Sequence, residues 1–338
     1  METSHDDSEL TSVELASLWN SYIFETMVHH VFTYFLKHVD DPDIKGYIEF
    51  VQRKTRDHFN EYIAIFRAEN IPIPRGTTSE DINLNAPRLF TDVFYINYVK
   101  NVAKFALMQF ASSYTECSRE DIRKMFLNHL HNLEKADQLG TEIMASKGIN
   151  LRPPHVPIPK EVNFVKQKNV FNSFFSKNRP LTILEVGQLF YNAKYNAIGK
   201  SLLVGFSQVA KSEDIRQNFL KGKELSNKYY KIFSDVLIDA DITAPPSYDS
   251  EVLSSTESPF SDRLLLNHVT FLNAFGLGVY GMAMAQSQRN DLVAMYSRVM
   301  IEVMAYGNDC ANLLIKNGWM EEPPLAPDRM ALVKSSHQ

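Results

Sequence analysis

The chain contains a long internal repeat. Residues 181–190, LTILEVGQLF, repeat the pattern of residues 10–19, LTSVELASLW, with Leu, Thr, Glu and Leu at the same spacing. The offset is 181 − 10 = 171 residues, and at this offset the two copies align without a gap as far as Pro74 and Pro245. A self-similarity of this period indicates a duplicated domain, so any fold proposed for the chain must be one that it builds twice.

Length and composition agree with two globular copies. The 338 residues are enough for two domains of ordinary size, and 44% hydrophobic with 22% charged residues is typical of a globular protein. The net charge of −5 disfavours nucleic acid as a partner, because phosphate binding requires a basic surface. Cys117 and Cys310 form no CxxC pair, which predicts neither a disulfide framework nor a thiolate metal site and favours a cytoplasmic location.

Neither a signal peptide nor a membrane span is predicted. Residues 1–9 are polar and acidic, and no apolar segment follows a basic one there. The longest weakly charged run, residues 269–285, is shorter than the roughly 20 apolar residues that a spanning helix needs. We therefore expect a buried helix in that run.

Each copy is predicted to be a bundle of four helices. Thr11 with Glu14, and Thr182 with Glu185, match the capping box that begins a helix. In the first helix of copy one, Phe24, Met27 and Val31 form a stripe expected to face the core. Residues 71–89 and 242–260 lose periodicity, and such a loop is long enough to return the chain along the bundle, so the third helix should run parallel to the second. The three connections between the four helices of each copy are then predicted to be short, long and short.

The repeat and the prolines give the domain boundaries. We predict a first bundle over residues 10–152, a connector over 153–180, a second bundle over 181–322 and a tail over 323–338. Phe171, Phe174 and Phe175 make the connector too apolar for a free linker, so it is expected to pack across the junction.

One helix of copy two carries a stripe of small residues at Ala274, Gly278, Gly281 and Ala285. Such a stripe allows another helix to approach closely. Ordinary packing within the core is the favoured interpretation, and an interface with the other bundle or with a second chain is the alternative.

A family resemblance extends from Leu10 to about Pro327. It rests on the tandem layout, on the repeated LTxxE opening and on the Arg-Pro-Leu-Thr sequence at residues 179–182. The chain resembles an uncharacterised family of tandem ferritin-like proteins from endospore-forming bacteria, related to spore coat protein F. The resemblance implies an all-α fold of two tandem ferritin-like four-helix bundles. It also implies an association with the spore coat.

Ferritin-like carboxylate enzymes place a Glu on each of two helices and Glu-x-x-His on each of the other two. Of the ten histidines here, only His5 has an acidic residue three positions before it, Glu2, and this pair precedes the first helix cap. No predicted helix contains the motif, so we assign no catalytic, cofactor-binding or metal-binding residue.

An irregular metal site in copy one is the alternative. Its candidate ligands for iron or manganese are His58, Glu61, His129, His131 and Glu134. The favoured interpretation makes His58 a hydrogen-bonded core residue and puts His129, His131 and Glu134 on a solvated or partner-facing helix side. Glu25 and His29 are predicted to point away from the core stripe, toward the surface or the other domain.

The sequence therefore favours a non-catalytic structural or protein-interaction role, with protein partners or self-association, in the cytoplasm and then in the spore. A metal-binding oxidoreductase built on the irregular site is the rival. A pocket between the bundles that binds an apolar small molecule is a third hypothesis, since the chain is rich in aromatic residues.

Overall fold

The fold is all-α. A computed structural model describes residues 8–165 and 179–331. The long helices of the first copy are α1 (Ser12–His38), α2 (Pro42–Ala68), α3 (Asp92–Glu116) and α4 (Glu120–Ser146), and those of the second are α5 (Ile183–Val209), α6 (Glu213–Ile238), α7 (Asp262–Gln286) and α8 (Asn290–Lys316). Within the described ranges, no helix combines the length and the apolar character that crossing a membrane requires.

Each copy is a bundle of four helices with short, long and short connections, as predicted. In the first bundle α1 packs on α2, α3 packs on α4, and α2 also contacts α4. The Asp92 carboxylate at the start of α3 accepts hydrogen bonds from the backbone N–H groups of Asp40 and Asp41, just before α2. The two helices therefore begin at the same end and run parallel. Asp262 does the same for α7 and α6 through Lys211 and Ser212.

The two predicted capping boxes are present, and further caps accompany them. Thr11 with Glu14 and Thr182 with Glu185 form complete capping boxes, and Asp41 caps α2 with Pro42 at its first position. Gly148, after α4, has φ of +68°, a left-handed backbone that glycine adopts without steric cost. Local signals in the sequence thus set where these helices begin and end.

The two bundles are joined by a shared hydrophobic cluster and by their long loops, while a second hydrophobic cluster lies within the second bundle. Short antiparallel bridges link Ile82 with Phe260 and Phe90 with Val252. Since 252 − 82 and 260 − 90 both equal 170, the offset between α3 and α7, each bridge is the other with the copies exchanged. The bundles are therefore related by a pseudo-two-fold axis, like the subunits of an isologous dimer.

Equivalent residues of α3 and α7 meet at that axis. The Tyr98 hydroxyl lies 2.7 Å from Nε2 of His268, and the rings of Phe105 and Phe275 are 5.2 Å apart between centroids. Each pair again has the offset of 170 (268 − 98 and 275 − 105). These contacts fix α3 against α7 at the centre of the molecule.

The small stripe of α7 does not pack in the core: Ala274, Gly278 and Ala285 are exposed, and Gly281 is half-buried. That prediction is wrong because the core-facing side of α7 is formed by larger residues such as Val279 and Tyr280. The connector residues Phe171, Phe174 and Phe175 lie outside the described residues, so their packing stays a prediction.

Candidate functional site

Two carboxylates and two imidazoles meet inside the first bundle. Glu25 comes from α1, His58 and Glu61 come from α2, and His129 comes from α4. Glu25, His58 and His129 are each at most 1% exposed, whereas the Glu61 side chain is half-exposed. We refer to these four residues as the His–Glu cluster.

The two imidazoles stack on each other. Their ring centroids are 3.8 Å apart and their planes differ by 23°. Nδ1 of His58 is 3.1 Å from Oε1 of Glu25, and Nε2 of His129 is 3.0 Å from Oε2 of Glu61. Each histidine thus has its own carboxylate.

The second nitrogen of each ring also has a partner. The Asn132 side-chain amide donates to Nε2 of His58 at 3.2 Å, and the Tyr62 hydroxyl donates to Nδ1 of His129 at 3.1 Å. A neutral imidazole offers one donor and one acceptor. In this arrangement each ring donates to its carboxylate and accepts from a neighbour, so both rings are fully satisfied in the neutral form.

Burial sets the protonation of this cluster. It lowers the pKa of His129 to about 4, although the hydrogen bond to Glu61 opposes the shift, so His129 is neutral at pH 7. Burial raises the pKa of Glu61, but its hydrogen bond with His129 and its charge interactions with His129, His58 and Lys54 together outweigh burial, so the net shift is downward. Burial also raises the pKa of the Tyr62 hydroxyl well above its usual range, which keeps it a donor.

One atom of the cluster lacks a partner. Oε2 of Glu25 is buried and accepts no hydrogen bond from the described residues. A buried carboxylate oxygen without a donor is costly and is the kind of atom that a metal ion would satisfy.

The remaining donors do not fit a metal centre. A di-metal carboxylate site needs a carboxylate from the third helix, whereas α3 presents Phe110, whose ring lies 6.1 Å from that of His58. Because imidazole lone pairs lie in the ring plane, two stacked rings cannot both direct them at one ion. Among the described residues, no three His, Cys, Asp or Glu side chains are arranged to hold a metal ion.

The structure brings together three of the five residues named from the sequence. His131 and Glu134 are exposed on α4 and lie outside the cluster. His129 does not face solvent or a partner, and Glu25 does not face the surface, so both predictions are wrong. α1 contacts α2, α3 and α7, and it is therefore buried on more sides than one core stripe provides.

Neither Glu25 nor Asn132 is predicted from the sequence to belong to this site, but the repeat contains a signal for Glu25. Its counterpart at an offset of 171 is Asn196, so both copies keep a polar residue within an otherwise apolar helix. Asn196 is also buried, and its side-chain amide donates to the Tyr280 hydroxyl at 2.8 Å.

The second bundle has no imidazole in the place of the His–Glu cluster. Tyr229 occupies the position of His58, and Val299 occupies that of His129. Tyr229 donates to Oε2 of Glu302 at 3.0 Å, and the Asn192 amide lies 3.4 Å from the Tyr296 hydroxyl. No imidazole remains at these positions, so the chemistry of the cluster belongs to the first bundle alone.

The comparisons agree with the duplication. The model of a family of proteins of unknown function, DUF3231, matches residues 2–162 and again residues 170–332. The crystal structure of a putative spore coat protein from Bacillus halodurans C-125 is similar with 18% identity and a TM-score of 0.41, over 45% of this chain and 98% of that one. No curated protein matches. Two matched copies fit the two bundles.

Proposed function

The chain belongs to the DUF3231 family, whose function is unknown, and we propose that it is a non-catalytic scaffold made of two fused ferritin-like bundles. One observation carries the proposal: the two lone pairs that could bind a metal, on Nε2 of His58 and Nδ1 of His129, are both capped by protein donors. The cluster then acts as a hydrogen-bonded spacer that holds α1, α2 and α4 together. It does not act as a reaction centre.

Protein association is the role that the surface supports. The second bundle exposes Met282 on α7 and Ile301 and Met304 on α8, with 46%, 63% and 48% of their area accessible. The first bundle carries His131 and Glu134 at the positions of Ile301 and Met304. One bundle thus presents apolar side chains where the other is polar, as expected of a face that contacts a protein.

We also propose that the protein is made in the cytoplasm and is then incorporated into the spore. The resemblance in the LTxxE openings and in residues 179–182 to a family related to spore coat protein F supports this assignment. We propose that the partners are further copies of the chain or other proteins of the same assembly.

A metal-binding oxidoreductase is the second candidate. The specific observation in its favour is the partnerless Oε2 of Glu25 beside two histidines. To bind an ion, at least one ring would have to turn away from its protein donor, and iron or manganese would then be the expected metals.

Metal content decides between the candidates. We would measure iron, manganese and zinc by inductively coupled plasma mass spectrometry on untagged protein, before and after reconstitution with ferrous iron. The scaffold predicts much less than one ion per chain. One or two ions per chain, lost in His58→Ala but retained in the exposed control His155→Ala, would instead establish the oxidoreductase.

The association is tested with a variant taken from the repeat itself. The double substitution Ile301→His with Met304→Glu gives the second bundle the residues of the first. Light scattering on the full-length protein should detect assemblies larger than one chain that this variant diminishes. A wild-type chain that stays monomeric at all concentrations would exclude self-association and leave partners of a different sequence.

A further inference from the structure

A cavity of about 130 Å³ lies between the second bundle and helices α1 and α3 of the first. Its walls are mostly aromatic and aliphatic. They include Phe24, Phe105, Leu202, Leu272, Phe275 and Val279. An apolar cavity of roughly 150 Å³ stays dry and binds benzene, so this volume suits a molecule of about one ring.

Differences between the two copies explain why the space is open on this side of the pseudo-two-fold axis. Several cavity positions carry a smaller residue than their counterparts in the first copy. The pairs are Gly199 with Val28, Ser226 with Thr55 and Gly276 with Ala106. A Cβ atom added at Gly199 would meet only the Ser226 hydroxyl, at 3.8 Å, so the position has room for a side chain.

One residue of the cavity wall has a buried polar atom without a partner. His268 is 2% exposed, and its Nδ1 has no hydrogen-bond partner among the described residues. Nε2 of the same ring is 2.7 Å from the Tyr98 hydroxyl. Burial lowers the pKa of His268 to about 3, so the ring is neutral and carries one proton.

The partner of Nε2 determines where that proton lies. The Tyr98 hydroxyl is buried and must donate its proton, and Nε2 of His268 is the acceptor that the described residues provide. A neutral ring that accepts at Nε2 carries its proton on Nδ1. A residue of the cavity wall therefore carries an N–H donor, which is costly to leave unsatisfied in apolar surroundings.

We propose that this cavity binds a small apolar molecule, about the size of a substituted benzene, whose one oxygen accepts a hydrogen bond from Nδ1 of His268. The apolar walls would hold the ring or short hydrocarbon body, and the unpartnered donor of His268 would favour compounds with a carbonyl, ether or hydroxyl oxygen. This binding site is independent of the scaffold role and would neither require nor exclude it.

The test uses two compounds of the same shape. Acetophenone has a carbonyl oxygen where α-methylstyrene has a methylene group, and both have about the volume of the cavity. We would measure binding to the full-length protein by isothermal titration calorimetry. We expect acetophenone to bind about tenfold more tightly, the ratio that one hydrogen bond of ordinary net strength provides.

Two glycines of α5 provide the matched variants. Gly199→Val places the residue of the first copy in the cavity and should abolish acetophenone binding. Gly187→Val makes the same change on the same helix at a position that does not line the cavity, and it should leave binding unchanged.

Three results would overturn the proposal. Binding that survives Gly199→Val would locate the compound elsewhere. Equal affinity for the two compounds would remove the role of His268. Failure of both compounds to bind at millimolar concentration would indicate a cavity that is empty or filled by water.

Discussion

Buried histidines make the stability of this protein sensitive to acid. Burial lowers the pKa of His129 to about 4 and that of His268 to about 3, from an ordinary value of 6.5. A group whose pKa is lower in the folded state binds its proton more readily in the unfolded state. Stability therefore falls as the pH drops below 6.5, and the loss continues until the folded protein itself takes up the proton.

The first prediction concerns this pH dependence. Between pH 6 and pH 5, His129 and His268 should each lower the free energy of unfolding by about 1.4 kcal/mol per pH unit, and His29, whose pKa burial lowers to about 4, adds to this slope. The carboxylates Glu14 and Glu185, with pKa values of about 2, contribute only below pH 4.5. Urea unfolding at several pH values measures the slope.

His268→Phe should reduce that slope by about 1.4 kcal/mol per pH unit, because it removes one of the titrating groups. His155→Ala, at an exposed position, should not change it. A stability that is flat from pH 7 to pH 5 would show that these histidines can be protonated in the folded protein.

The second prediction compares two buried tyrosine hydroxyls of α2, one with a hydrogen-bond partner and one without a partner among the described residues. Tyr62→Phe leaves Nδ1 of His129 without its donor and should destabilise the protein by about 1–2 kcal/mol. The Tyr47 hydroxyl is buried without a partner in the described structure, so Tyr47→Phe should be neutral or slightly stabilising. Paired urea denaturation curves measure both, and equal effects would contradict the hydrogen bond to His129.

Among the helical elements, the repeated LTxxE opening has a second role that its spacing does not reveal. Besides capping α1, Glu14 accepts hydrogen bonds from the backbone N–H groups of Ser118 and Arg119 at the start of α4, at 2.8 and 2.7 Å. Burial raises its pKa, but these bonds and those with Thr11 together outweigh burial and lower the value to about 2. One carboxylate thus serves the N-termini of two helices.

The second copy repeats this link and adds an ion pair. Glu185 accepts from the backbone N–H groups of Gln288 and Arg289, and it pairs with Arg179 at 2.8 Å. Arg179 is the first residue of the Arg-Pro-Leu-Thr sequence, so the motif that carries the family resemblance fastens α5 to α8.

The third prediction tests the double cap. Glu14→Ala should cost about 2–4 kcal/mol, because it removes the helix cap and also leaves buried N–H groups without an acceptor. Glu9→Ala, an exposed acidic position nearby, should change stability by less than about 0.5 kcal/mol. Thermal and urea unfolding measure both. A loss of only about 1 kcal/mol in Glu14→Ala would mean that the contact with α4 contributes nothing.

The whole molecule behaves as a fused dimer whose two halves have diverged. A buried ion pair breaks the symmetry at the loop crossing: the Arg263 guanidinium pairs with Asp81 and donates to the Gly76 carbonyl at 2.8 Å. The counterpart of Arg263 in the first copy is Val93, at the offset of 170. Fusion into one chain permits such an asymmetric pair, which a homodimer would have to form twice.

The fourth prediction concerns this pair. Arg263→Met leaves Asp81 buried without its counter-charge and should cost about 3–5 kcal/mol. Combining it with Asp81→Asn should recover part of the loss, because the uncompensated charge is removed as well. The exposed pair of Lys316 and Asp214 is the control, and Lys316→Met should cost less than about 1 kcal/mol. If the free-energy costs of Arg263→Met and Asp81→Asn simply add in the double variant, Arg263 and Asp81 do not stabilise each other and the prediction fails.

Local signals account for the part of the fold that could be predicted. The capping boxes, the N-cap Asp41 and Gly148 each act within a few residues, and the length of the loops gives the parallel run of α2 and α3. The exposed position of the small stripe could not be predicted, because it depends on which side of α7 the first bundle covers.

The sequence by itself determined the duplication, the helices and the order of their connections, because these follow from periodicity, caps and chain length. Only the tertiary structure decided that Glu25 meets His58, that His129 is buried and that α3 meets α7 at a pseudo-two-fold axis. Each of these depends on contacts between helices far apart in sequence. The rotation of one helix relative to another is set by the packing of whole surfaces, and no local signal encodes it.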